Sequence, residues 1–201
     1  MNLPMSRPSL FIRHAALRFA LVTLTAAASS RPVSAQGASP AGAQASGPVI
    51  NAAGPSFPVP NPTFTTPARG ELKALFEISA GGGDTVKVNE QLVSMARFFN
   101  HSARNGVAEN RLKGAAVFHG GGWTALLTDS AFAARFGGKP NPSRKLVEEL
   151  LQHGAQLVLC GQTAGGRNIR RDELLPGVKV AVSAMTAMIV LQNEGYRFIP
   201  W

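Results

Sequence analysis

The chain has 201 residues, 45% of them hydrophobic and 15% charged, which suffices for one domain with appendages and is too little for two full cores. Its 20 Lys and Arg against 11 Asp and Glu give a net charge of +9, but the basic residues lie mostly singly, with no aromatic-interleaved stripe, and so exclude the usual nucleic-acid modules. The single cysteine, Cys160, excludes an internal disulfide framework and a cysteine-rich zinc site, leaving stability to a hydrophobic core.

Residues 1–35 read as a signal peptide. Arg7, Arg13 and Arg18 form a basic opening, and Phe19 to Ala28 is an apolar run. Val33-Ser34-Ala35 then offers small residues at a peptidase site, with Gln36 as the new start. The run is about half the ~20 residues that span a bilayer, so the expected outcome is export and cleavage; an uncleaved anchor is the competing reading. With this segment gone, 16 basic residues face 11 acids, or +5, and no later stretch is long and apolar enough to span a membrane. Residues 36–70 are rich in Gly, Ala, Ser and Pro, which predicts a flexible tether to about Gly47 and then an arm lying extended on the domain surface.

The domain is predicted over 71–201. Leu72 to Ser79 is a strand, closed by the glycines before Asp84, whose carboxylate is placed to cap a helix over Val86 to Ser102. Gly114 to His119 is a second strand, ended by Gly120-Gly121-Gly122. Thr124 to Phe136 reads as helix with an irregular stretch, and Pro142 to His153 as a cleaner helix with Asn141 as N-cap and Gly154 just past its end. Leu157 to Cys160 and Val178 to Ser183 are strands, Ala184 to Glu194 a helix closed by Gly195, and Tyr196 to Ile199 a short last strand.

Short, nearly uniformly apolar strands alternating with helices predict a mostly parallel sheet covered on both faces. Right-handed crossovers bring the strand C-termini to one rim, where ligands collect in such sheets. Cys160 ends one strand there. If a helix begins at Gly161, its free N–H groups face the sulfur and favour the thiolate; otherwise Cys160 is a small buried hydrophobe. His119 ends another strand and, should that strand neighbour the one ending at Cys160, is placed to move a proton, unless it only bonds a loop. The glycine runs lack the spacing of a phosphate cradle, which argues against a nucleotide-dependent enzyme, and the scattered histidines lack metal-ligand spacing.

Three fragments, VFHGGGW, PNPSRKLVEELLQHGAQLVLCGQT and LLPGVKVAVSAMTAMIVLQNEGY, together resemble exported members of the DsrE/DsrF-like family from about Leu72 to Tyr196. The resemblance implies a three-layer α/β/α domain with a mostly parallel five- or six-stranded sheet, assembled as a homotrimer or homohexamer. It also implies sulfur relay, with Cys160 as persulfide acceptor and His119 assisting. Gly161, Gln162, Gly120 and Trp123 would then line the site, with protein donors and acceptors of sulfur as partners. No cofactor or metal is expected, and any activity is at most sulfurtransferase-like. The alternative is a non-catalytic oligomeric module that binds a small molecule or partner. The relay reading requires a Cys160 sulfur open to solvent.

Overall fold

In the computed structural model, residues 42–81 and 84–200 are described. The predicted signal segment with its expected cleavage site, the start of the predicted tether, and Gly82 and Gly83 lie outside them. Strands β1 (Leu72–Ile78), β2 (Leu112–Phe118), β3 (Gln156–Cys160), β4 (Lys179–Ala181) and β5 (Arg197–Phe198) form one sheet in the order β4-β3-β2-β1-β5. Every pairing is parallel. The sheet is thus five-stranded and flanked by helices on both faces, the three-layer α/β/α arrangement.

Register and the two-residue period sort the side chains. Phe76, Ile78, Ala116, Phe118, Leu157 and Leu159 point to one face, where they join Leu92, Met95, Ala96 and Phe99 of α1 (Glu90–Arg104). The same cluster takes Phe132 of α2 (Asp129–Arg135) and Leu146, Val147 and Leu150 of α3 (Arg144–Gln152). Spacings of three and four residues put these side chains on one stripe of each helix. Each fully buried Leu or Phe contributes about 1.5–3 kcal/mol of transfer free energy. Gly114 lets α1 come close, since a Cβ there would lie 2.7 Å from the Phe99 ring.

The opposite face is smaller. Leu75, Ala115, Val117 and Val158 pack under Ala187 and Leu191 of α5 (Ala184–Asn193), with Tyr196 at the far end. No residue of α5 is charged, yet its outer flank leaves Met185, Ile189 and Val190 at 75%, 59% and 49% exposure. A helix apolar around its whole circumference ordinarily has neighbours on all sides.

One predicted cap is corrected. Asp84 accepts the N–H groups of Val86 and Lys87 within a turn, and α1 starts later, capped by Asn89 through the Leu92 N–H. The core positions 92, 95, 96 and 99 set that start. Asn141 does cap the turn leading into α3, its Oδ1 accepting the Ser143 N–H, while its buried amide also donates to the Ala125 and Leu127 carbonyls, tying the chain before α2 to the start of α3. The strands and helices otherwise fall where expected, with β4 and β5 shorter. A six-residue helix α4 (Gly161–Gly166) follows β3 directly.

The arm is more firmly held than its composition suggests. Ala45 bridges Ser56 in antiparallel fashion, and Val49 and Ile50 are buried in the large core cluster. The buried Asn100 side chain accepts from the Val49 and Ile50 N–H groups and donates to the carbonyls of Ile50, Ala53 and Gly54. Glu149 accepts from the Asn51 and Ala52 amides, which helps hold its carboxyl below the usual range although burial opposes it.

Candidate functional site

The chain leaves β3 and β4 in opposite directions. After β3, Ala164 of α4 and then Ile169 pack against the α1-side core, whereas after β4 helix α5 runs over the other face. In open α/β sheets the rim between two neighbouring strands whose following helices diverge is the place for ligands, and Cys160 ends β3 at that point.

Gly161 allows the two junctions to close up. A Cβ at 161 would collide with the Ala181 carbonyl oxygen and come within 3.0 Å of that of Val182. The amide of Gln162 reinforces the closure by donating to the Val182 carbonyl at 3.1 Å. As a result the first turns of α4 and α5 both face the sulfur. Burial pushes the Cys160 thiol upward, but the Thr163 N–H and hydroxyl and the N–H groups of Ala184 and Gln162 outweigh it, and the net effect is a lowered pKa. Cys160 occupies the N-cap position of α4 without a side-chain hydrogen bond to it.

The expectation of an open sulfur is corrected: Cys160 is 5% exposed. Its cover consists of the two helix starts rather than the core. Cys160 belongs to neither hydrophobic cluster, Gln162 above it is exposed, and α4 contains no buried residue.

His119 continues the β1–β2 ladder through its N–H to the Ile78 carbonyl. Because Phe118 pairs with Leu159, His119 is level with Cys160 one strand away and on the same face. The imidazole nevertheless turns to β1, where Nε2 lies 2.6 Å from Oε1 of Glu77, and it makes no hydrogen bond to the sulfur. His119 and Glu77 side chains are 31% and 40% exposed. Gly120 and Trp123 are occupied in packing. Gly120 has φ +52°, the Gly121 N–H bonds the Ser79 carbonyl, and Trp123 is buried 6.1 Å from the Phe136 ring with the Arg135 guanidinium over its face.

The Thr163 hydroxyl and Glu77 lie outside the residues that the sequence pattern points to. Thr163 could have been singled out, as a hydroxyl three residues past the cysteine, and Glu77 as the lone acid within an apolar strand. Among the described residues no group of three His, Cys, Asp or Glu is placed to hold a metal, and no helix is long and apolar enough to cross a membrane.

Residues 74–201 match the profile of the DsrE/DsrF-like family. Among solved structures, a protein of unknown function from Methanobacterium thermoautotrophicum, MTH1491, is similar at 22% identity and a TM-score of 0.45. The likeness covers 64% of this chain and 98% of that one. No curated protein matches.

Proposed function

Because this chain belongs to the DsrE/DsrF-like family, whose membership suggests a sulfur-relay-like role, we propose that it is an exported, periplasmic sulfur carrier with Cys160 as its persulfide acceptor. The observation that carries the proposal is the place of Cys160 at the C-terminal end of β3, where Gly161 lets the junctions into α4 and α5 close up beside it and neighbouring N–H groups lower the thiol pKa. Such donors stabilise a thiolate and, equally, the anionic end of a bound persulfide. Access comes from local opening of α4, which has no buried residue to release. Intact-mass measurement after incubation with a small persulfide should find one extra sulfur atom on the wild-type protein and none on Cys160→Ser. Equal response of the two proteins sinks the proposal.

The second reading is a non-catalytic oligomeric binding module, favoured by the low exposure of Cys160 and the bare outer flank of α5. Alkylation separates the two. A thiol that reacts under native conditions faster than a model thiol at neutral pH supports the carrier, and one that reacts only in denaturant supports the module.

Both readings include assembly as a homotrimer or homohexamer through that flank. Ile189→Glu would place a charge among Met185, Val190 and their counterparts, and light scattering should then report a monomer where the wild type is larger. A monomeric wild type ends the assembly reading. The export reading predicts that the protein recovered from the periplasm begins at Gln36.

A further inference from the structure

Outside the surroundings of Cys160, Glu77 and His119 form a hydrogen-bonded pair on the same sheet face. Three neighbouring parallel strands present Glu77, His119 and Cys160 in succession, on the face that α5 covers only in part. We infer that Glu77 is a positioning residue, which fixes the His119 ring so that its other nitrogen serves the sulfur chemistry at Cys160; this rests on the sulfur-carrier reading.

The geometry supports this in three ways. The Nε2 to Oε1 distance of 2.6 Å is that of a charge-assisted bond, in which Nε2–H donates to the carboxylate. With Nε2 committed, Nδ1 has no hydrogen-bond partner among the described residues. Adjacent strands lie about 4.8 Å apart, so His119 and Cys160 occupy neighbouring positions of one rim, with His119 beside a donor seated on the sulfur.

The reaction balances without an oxidant or reductant. The Cys160 thiol gives its proton to Nδ1 of His119, by way of the bound donor or a water, and the imidazolium is held by Glu77. The thiolate attacks the outer sulfur of a persulfide, R–S–SH. The new bond joins Sγ to that sulfur, the R–S bond to it breaks, and the R–S⁻ group leaves with the electron pair. Nδ1–H then protonates R–S⁻. The products are the Cys160 persulfide and R–SH, and the neutral imidazole is restored in its starting tautomer.

The test uses the full mature chain, glutathione persulfide as donor, and the variants Glu77→Gln and His119→Gln. Glu77→Gln keeps the shape of a partly exposed side chain and removes its charge. Nitrogen-15 spectra of the His119 ring should show one neutral tautomer, protonated at Nε2, in the wild type and a mixture in Glu77→Gln. Single-turnover sulfur transfer should slow about tenfold in Glu77→Gln, the usual scale for loss of a carboxylate that orients a histidine, and no less in His119→Gln. Retention of a single tautomer, or transfer at the wild-type rate, overturns the role of Glu77 and leaves the carrier reading intact. If the wild type itself takes up no sulfur, the carrier reading fails, and the inference falls with it.

Discussion

Asn100→Ala should lower the unfolding free energy by roughly 3–5 kcal/mol, the largest loss expected from any single polar substitution in this chain. The side chain is completely buried and makes five hydrogen bonds to the arm, two accepted and three donated. Truncation would leave the Val49 and Ile50 N–H groups and the Ala53 and Gly54 carbonyls without this partner, the Ile50 carbonyl keeping the Gly47 N–H, and each buried unpaired group costs about 1–3 kcal/mol before relaxation. Ile50, fully buried alongside, would lose its anchor as well. Asn100→Asp should fare no better, since it keeps the acceptor and gives up both donors. Urea denaturation measures the effect. A loss below about 1 kcal/mol would mean that residues 45–56 are dispensable to the domain.

Gly161→Ala should both destabilise the protein and raise the pKa of Cys160. The added methyl meets the Ala181 and Val182 carbonyls, which belong to backbone and cannot rotate away, so β3 and β4 must part at the rim. Overpacking of this kind costs about 1–3 kcal/mol. It also draws the Ala184 N–H off the sulfur and removes one of the groups that lower the thiol pKa. The ultraviolet absorbance of the thiolate, followed against pH, should show the titration displaced upward relative to wild type.

A stability signature goes with it. The folded pKa of Cys160 is depressed, so the thiol contributes nothing at pH values below that folded pKa, where both states hold the proton. The contribution grows as pH rises toward the ordinary thiol value of ~8.5 and persists above it. The stability difference between wild type and Cys160→Ser should therefore widen in favour of wild type with rising pH, and the corresponding difference for Gly161→Ala and its Cys160→Ser double variant should widen less.

The layout of the domain was largely legible in the sequence because its strands are uniformly apolar and its helices periodic. Ile78, Phe118 and Leu159 end such runs, and Leu92, Met95 and Phe99 repeat at helical spacing. The caps were less legible, since Asp84 and Asn89 are both good capping residues and only core packing decides between them. The pinned arm could not be read, because Asn100 on a helix looks like a solvated residue until the segment it clasps is known. At the site, the placing of Cys160 followed from the strand pattern and the helix start from Gly161. Its cover did not, since that depends on α5 returning from β4 twenty residues later. The Glu77 partnership of His119 was hidden for the same reason, being set by strand order rather than by spacing along the chain.

The order in which this chain is synthesised has a consequence for its folding. Once β4 has been made, four strands can pair and one side of the sheet can be clad by α1, α2 and α3. The other side then shows Leu75, Ala115, Val117 and Val158 to water until α5 arrives, and β1 keeps a free edge until β5 joins it. A nascent chain halted at Ser183 would be a sticky half-product, prone to pair edge to edge with its neighbours. A stop codon within α5 is accordingly expected to cause aggregation rather than a trimmed but working protein.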